Sequence, residues 1–189
     1  MADLSAARLN MVESQVRTQD VTDVRIQDAM RAIPRERLAP AGKAYLAYAD
    51  TEVEYAPGRW LLRPRDVSKL LQALRPMPGE RGLAIAAPYA AEVMEALGVG
   101  VDRLEGDLAA APATEAYDLV VAEGAVGRAP KAWLDALAIG GRLGVVERDG
   151  VVGQAVLYVR AADGVGRRVL FDAFPPVLAG FELRHGFAL

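Results

Sequence analysis

The segment that comes closest to a ligand-binding motif is Arg81–Leu97, in which a strand is predicted over residues 82–86 and a helix over residues 89–97. A strand that passes through a tight turn into a helix is how a doubly wound α/β domain builds a nucleotide pocket. In such a turn, glycines let the backbone approach the ligand, and the start of the helix offers free N–H groups. The turn here instead holds Ala86, Ala87 and Pro88. Each of these side chains takes up space, and a proline has no N–H to donate, so the frame of a cofactor site is present without its binding chemistry.

Other candidate catalytic groups are few. The chain has one histidine, His185, three serines and no cysteine, which leaves little material for a nucleophile–base pair and excludes disulfides and thiolate metal sites. His185 stands near the end of the chain beside Arg184 and is interpreted as a surface residue. The acidic residues are scattered, so no metal site is predicted.

A small basic cluster stands in the first third of the chain. Its members are Arg59, Trp60, Arg63 and Arg65. The plainer interpretation is a solvated loop with Trp60 packed on the core. The alternative is a surface that binds an anion or a protein partner.

The composition fits one α/β domain with a terminal extension. The chain has 189 residues, of which 52% are apolar, and a net charge of −3. No run approaches the roughly 18 uninterrupted apolar residues of a membrane span, and the acidic balance argues against a nucleic-acid-binding protein. The first residues lack the pattern of a signal peptide, so a cytoplasmic protein without membrane or nucleic-acid partners is expected.

The elements that must position the turn follow from hydrophobic periodicity and capping residues. Before the turn, we predict four helices: residues 4–17, a helix from an N-cap at Thr22 to Pro34, residues 41–49, and a helix from an N-cap at Asp66 to Arg75. We also predict a polar connector over residues 35–40 and a strand over residues 51–55. After the turn, we predict strands over residues 99–104, 117–122 and 142–147 and a helix from Pro130 to Ile139. We then predict a hairpin formed by residues 151–160 and 167–171, with its turn at Asp163-Gly164, and a last strand over residues 185–189. This order predicts a nucleotide-binding α/β fold with an antiparallel edge.

Several motifs, in order along the chain, carry a family resemblance. Residues 11–17 and 28–40 form an N-terminal signature; residues 117–126, Pro130, Leu134 and 140–143 form a strand–helix–strand pattern; residues 171–173 and 178–181 form a C-terminal pattern. Together they resemble the bacterial branch of the protein-L-isoaspartate O-methyltransferase family over nearly the whole chain. The resemblance implies a Rossmann-like S-adenosylmethionine-dependent methyltransferase fold and methyl transfer to an isoaspartyl carboxylate. It also implies that residues 1–65 form a helical cap with the substrate loop and residues 66–189 form the core.

The positions that carry this chemistry in the family differ here. The family's cofactor loop has the form acidic-x-Gly-x-Gly-x-Gly, and the matching residues 84–90 contain no glycine and no acid. The family places a hydroxyl residue two positions before a proline, and that position before Pro64 is Leu62. A backbone that cannot approach the ligand loses several hydrogen bonds of roughly 0.5–1.5 kcal/mol each, so loss of cofactor binding is expected.

The interval between Leu97 and Tyr117 has room for only one short strand, so one βα unit of the family fold is expected to be missing. Within it, Glu105 could be the acid that holds the cofactor ribose, or Gly106-Asp107 could belong to the following strand. Loss of a βα unit would uncover apolar sheet surface. The N-terminal helices could cover that surface, but we favour a homodimer with its interface near residues 89–110.

Three functions remain open from the sequence. The first is a pseudoenzyme that binds no S-adenosylmethionine and acts by binding a protein partner. The second is an active methyltransferase with an unusual pocket that uses S-adenosylmethionine. The third is a reshaped pocket for a different small ligand.

Overall fold

A six-stranded sheet is at the centre of the structure, a computed structural model that describes residues 4–183. Within this range the strands are β1 (Val53–Ala56), β2 (Arg59–Leu61), β3 (Arg81–Ile85), β4 (Gly100–Leu104), β5 (Tyr117–Val126), β6 (Leu137–Asp149), β7 (Val152–Ala161) and β8 (Gly164–Asp172). The sheet order is β4-β3-β5-β6-β7-β8. Strands β3 to β6 are parallel, whereas β7 and β8 are antiparallel. Strands β1 and β2 form a separate hairpin.

The α-helices in the same range are α1 (Ser5–Met11), α2 (Val24–Ala32), α3 (Pro64–Leu74), α4 (Pro88–Ala96) and α5 (Lys131–Asp135). Helix α1 continues through a π-helical turn (Val12–Val16) and a 3-10 turn (Arg17–Gln19). Two further 3-10 turns follow α2, at Arg35–Leu38 and Ala41–Leu46. No helix in this part of the chain is long and apolar enough to cross a membrane.

The two faces of the sheet are covered very differently. On one face, Leu119 and Val121 of β5 join a core that includes buried residues of α1 to α4. On the other face, Val120 joins a second core around Trp133 of α5. The loop 105–116 completes this second core, because Leu108 is buried in it and its carbonyl oxygen accepts a hydrogen bond from Trp133 Nε1 at 2.6 Å.

The interval between Leu97 and Tyr117 contains β4 and then a loop of turns and bends over residues 105–116, with no helix. The prediction that a βα unit is missing there is therefore confirmed. The apolar surface that a missing helix would uncover is covered by the chain's own loop. The N-terminal helices, which were the alternative cover within one chain, lie on the opposite face.

The strand–turn–helix over residues 81–97 is confirmed to within one residue at each boundary. Other predicted boundaries were wrong. The N-cap of α2 is Asp23 rather than Thr22, because the Asp23 carboxylate accepts the Arg25 N–H at 3.0 Å. Helix α3 begins at Pro64 rather than after Asp66, since the fixed φ of proline suits a first helical position.

Two larger differences come from tertiary contacts that the sequence pattern does not contain. The helix predicted from Pro130 to Ile139 ends at Asp135, because Leu137 already pairs with Tyr117 at the start of β6. Residues 35–38 of the predicted polar connector form a 3-10 turn in which Arg35 is fully buried.

The C-terminal hairpin differs from the prediction in its turn. The hairpin loop is Ala162-Asp163, and Gly164 already pairs with Ala161. The predicted strand over 185–189, with His185, lies outside the described residues.

Candidate functional site

The turn after β3 keeps the backbone shape of a glycine turn but is built from alanine. Ala86 has a φ of 44°, in the left-handed region that costs a residue with a Cβ roughly 1–2 kcal/mol. Its N–H donates to the carbonyl oxygen of Leu104 at 2.9 Å. Ala86 and Ala87 are both fully buried. The turn therefore offers neither open space nor the Ala86 N–H to a ligand.

The start of α4 is occupied by a carboxylate from the neighbouring strand. Glu123 lies on β5, which pairs with β3, and this boundary is the topological switch point where doubly wound sheets bind ligands. Its Oε1 accepts the Ala90 N–H in the first turn of α4 at 2.8 Å. Its Oε2 accepts the Leu62 N–H at 2.8 Å. Glu123 thus fills the helix N-terminus at which an anionic ligand group would bind.

A fully buried arginine accompanies this carboxylate. Arg35 donates from Nη2 to the Leu62 carbonyl oxygen, and its guanidinium carbon lies 4.6 Å from the centre of the Tyr89 ring. Burial raises the pKa of Glu123, and the positive charge of Arg35 and the backbone N–H donors oppose that shift. Arg35 Nε and Nη1 and the Tyr89 hydroxyl have no hydrogen-bond partner within residues 4–183. Glu123 and Arg35 are therefore two buried groups of opposite charge in the crevice that attract each other without a direct hydrogen bond, and each is hydrogen-bonded to the backbone of Leu62.

Glu105 stands directly after β4, at the sheet edge where the family's ribose-binding acid is expected. Its Oε2 accepts a hydrogen bond from the Tyr55 hydroxyl at 3.1 Å, and burial raises the pKa of that hydroxyl, which keeps it a donor. Arg59 donates to the carbonyl oxygen of Gly106 at 3.4 Å. The β1–β2 hairpin is thereby attached to the loop after β4. The other interpretation, that Gly106-Asp107 begins the following strand, is wrong, since that strand begins at Tyr117.

The basic cluster is largely neutralised by acids that the sequence analysis did not assign to it. Arg63 Nε lies 2.8 Å from Glu52, and Arg65 Nε lies 3.4 Å from Asp66 and 3.7 Å from Asp50. Trp60 is half-buried on β2, opposite Glu54. Arg63 and Arg65 are thus held in ion pairs beside the first turn of α3, whereas Arg59 contacts the loop after β4. A role for them in binding an anion or a partner stays a prediction.

A comparison with known proteins finds relatives of this chain, although no model of a protein family matches it. It is 36% identical to the protein-L-isoaspartate O-methyltransferase of Methylorubrum extorquens over 116 residues, which are 60% of this chain and 51% of that protein. It is 30% identical to protein-L-isoaspartate O-methyltransferase 1 of Rhodopseudomonas palustris over 167 residues, 74% of this chain and 68% of that protein. The chain belongs to the protein-L-isoaspartate O-methyltransferase family. It nevertheless spans only about half the length of the Methylorubrum relative.

Solved structures agree with this assignment at the level of the fold. One is described as a protein-L-isoaspartate O-methyltransferase from Plasmodium falciparum in complex with S-adenosyl-L-homocysteine. It has a TM-score of 0.72 and 16% identity, and the match covers 90% of this chain and 97% of that one. A second protein-L-isoaspartate O-methyltransferase has a TM-score of 0.74 and 18% identity, over 92% of this chain and 66% of that one. The Rossmann-like methyltransferase fold implied by the resemblance is therefore confirmed.

The described residues do not fit the cofactor that this family implies. The space beside the turn holds the side chains of Ala86 and Ala87, and Pro88 contributes no N–H at the first position of α4. The N–H groups of the two residues that follow, Tyr89 and Ala90, both interact with the Glu123 carboxylate. Leu62, at the family's hydroxyl position, is fully buried and presents only backbone atoms to Glu123 and Arg35. No group of His, Cys, Asp and Glu in residues 4–183 is arranged to hold a metal ion.

Sequence reasoning missed the central residues of this site, Glu123, Arg35 and Tyr89. One signal was available for Glu123. It is a charged residue directly after the apolar strand predicted over residues 117–122, and a charge at the end of a buried strand requires partners. Arg35 gave no such signal, because it stands among charged neighbours in a segment with the composition of a surface loop.

Proposed function

We propose that this chain is a non-catalytic member of the protein-L-isoaspartate O-methyltransferase family that does not bind S-adenosylmethionine and acts by binding a protein partner. The observation that carries the proposal is the carboxylate of Glu123, which takes the N–H groups of Ala90 and Leu62 at the sheet's switch point. An anionic ligand at a helix start needs free N–H groups such as that of Ala90. Here they stabilise the fold instead.

The energetic consequence of this arrangement is large enough to matter for binding. A ligand at the start of α4 would have to displace Glu123 and separate it from Arg35. Leaving a buried charge without its counter-charge costs about 3–5 kcal/mol, which corresponds to roughly two to four powers of ten in affinity. The buried methyl groups of Ala86 and Ala87 add a steric cost to this.

An active S-adenosylmethionine-dependent methyltransferase that acts on isoaspartyl residues is the second candidate. The comparisons favour it, because the relatives carry the enzyme's name and one structural neighbour is described in complex with S-adenosyl-L-homocysteine. This candidate requires Glu123 to leave the start of α4 when the cofactor binds. The two proposals therefore differ in a measurable quantity, the affinity for the cofactor.

Isothermal titration calorimetry of the full chain with S-adenosylmethionine and S-adenosylhomocysteine separates the candidates. We expect no saturable heat up to about 1 mM ligand, from the displacement cost given above. The Methylorubrum relative, titrated in parallel, is the matched comparison. A dissociation constant in the micromolar range, or methylation of an isoaspartyl peptide, would overturn the proposal and support the enzyme.

The homodimer through residues 89–110 also remains a proposal, but uncovered apolar sheet surface no longer supports it. The loop 105–116 covers the sheet face in question, and the exposed large apolar side chains of the described chain lie outside residues 89–110. Around β4 the surface is charged and internally paired, with Arg81 bound to Asp102 and Arg103 bound to Glu95. Apolar burial therefore no longer argues for an interface there.

A further inference from the structure

Strand β8 is an open edge of the central sheet. Within the described part of the chain it pairs with β7 alone, over nine residues without a proline. Every second backbone N–H and C=O of such a strand is directed away from the sheet and can pair with another chain. The opposite edge, β4, has only five residues and carries the charged pairs described above. The long edge is therefore the one available for strand addition.

One face of β8 presents two valines on either side of an arginine. Val165 and Val169 are each 42% exposed, which is high for large apolar side chains. Arg167 between them does not protect the edge, because its guanidinium turns back to Glu147 on β6, with Nη2 at 2.8 Å from Oε2. An added strand would meet a β-branched surface on this face, and such cross-strand pairs stabilise sheets.

The other face combines a shallow hollow with an unpaired charge. Gly166 stands opposite Val159 of β7, whose side chain is 40% exposed because the glycine does not cover it. Arg168 is the next residue of β8 on this face, opposite Leu157, and has no ion-pair or hydrogen-bond partner among residues 4–183. These residues line a groove of about 380 Å³.

We propose that the edge of β8 binds an extended, acidic segment of a protein partner, which adds to the sheet as a further antiparallel strand. The segment places a carboxylate opposite Arg168 and a bulky apolar side chain over Gly166 and Val159, and β-branched residues opposite Val165 and Val169. Backbone pairing supplies most of the affinity, and the side chains select the sequence. This inference deepens the partner-binding part of the proposed function by naming the surface and the kind of segment, and it does not depend on whether the cofactor binds.

A second copy of the chain is a poorer occupant of the same edge. Arg168 is the central residue of β8, which spans Gly164–Asp172. A symmetric antiparallel pairing in which two β8 strands overlap over their whole length would place the two Arg168 side chains opposite each other, and like charges directly opposite are destabilising. An acidic strand removes that repulsion.

The test is fluorescence anisotropy of the full chain with a labelled peptide whose core is Val-Glu-Thr-Phe-Val. In antiparallel register its Glu faces Arg168 and its Phe faces Gly166. We expect Arg168→Glu to weaken binding about three- to tenfold, since an exposed attraction becomes a repulsion, and a peptide with Lys in place of Glu to restore it. N-methylation of alternate peptide amides should abolish binding, because it removes the backbone hydrogen bonds.

The control variant is Arg37→Glu, which changes the same charge on the other side of the molecule, where Arg37 pairs with Glu92 of α4. It should leave the peptide affinity unchanged. Equal binding of the N-methylated peptide, or equal loss in both variants, would overturn the proposal. Light scattering that shows a dimer broken by Val165→Lys would identify a second copy as the occupant and overturn it as well.

Discussion

Replacing Glu123 by alanine is expected to lower the free energy of unfolding by about 3–5 kcal/mol. The substitution leaves Arg35 as a buried charge without its counter-charge. It also leaves the N–H groups of Leu62 and Ala90 buried without an acceptor, at about 1–3 kcal/mol each. These contributions overlap, because all of them describe one site, so the total stays near the cost of breaking a buried pair rather than their sum.

Urea unfolding at pH 7 measures this loss as a lower midpoint at an unchanged m-value. The matched control is Glu95→Ala, which removes only an exposed pair with Arg103 and should cost less than about 1 kcal/mol. Glu123→Gln tests the charge with little change in volume and should fall between the two. If Glu123→Ala costs less than about 1 kcal/mol, the buried carboxylate is not what holds these elements together.

The same variant allows a second and more specific measurement. Removal of the carboxylate leaves a cavity beside the two N–H donors and Arg35, and formate is small enough to enter it. With a dissociation constant of about 10 mM, 100 mM formate would stabilise the folded state by about 1.4 kcal/mol, or raise Tm by about 3–6 °C for a chain of this size. The wild type, whose own carboxylate fills the site, should respond to formate as it does to chloride. An equal response of both proteins would refute the argument that Glu123 occupies an anion site.

Three further predictions follow from other positions. Burial raises the pKa of Asp66 to about 6, above its ordinary value of 3.8, so the folded state holds a proton that the unfolded chain releases. The stabilisation by protonation is complete below pH 3.8 and is lost as the pH rises through 6. Asp66→Asn should therefore stabilise the protein at pH 8 by up to about 3 kcal/mol but not at pH 4, as measured by urea unfolding at both pH values. Ala86→Gly should cost roughly 1–2 kcal/mol less in the same assay than Ala84→Gly in β3, because only Ala86 gains relief from a left-handed φ. Light scattering at micromolar concentration should give twice 20.2 kDa if the dimer through residues 89–110 forms, and a mass near 20.2 kDa would show that prediction to be wrong.

The parts of the structure that sequence predicted are those fixed by local signals or by chain length. The strand–turn–helix over residues 81–97 has an apolar strand, a proline at the start of the helix and a helical pattern, all within seventeen positions. The missing βα unit follows from counting, because the interval before Tyr117 is too short for a crossover. Family membership follows from the order of several motifs, each of which is weak alone.

The parts that sequence did not predict depend on contacts between distant positions. Nothing near Arg35 indicates that it is buried, because its partners Leu62, Tyr89 and Glu123 are far away along the chain. The end of α5 is likewise decided by the pairing of Leu137 with β5, which overrides a helical pattern. A site whose charges neutralise one another is especially hard to find in a sequence, since each charge alone has the composition of a solvated loop.

The shortened connection and the closed crevice are physically one feature rather than two independent losses. The loop that replaces the missing unit supplies Leu108 to the core that also contains Ala86. Residues 105 and 106 at its start hold the β1–β2 hairpin through Tyr55 and Arg59. That hairpin ends at Leu61, immediately before Leu62, whose N–H binds Glu123. Glycine restored at the turn would therefore not reopen the crevice, because the loop, the hairpin and Glu123 support one another and all three would have to move.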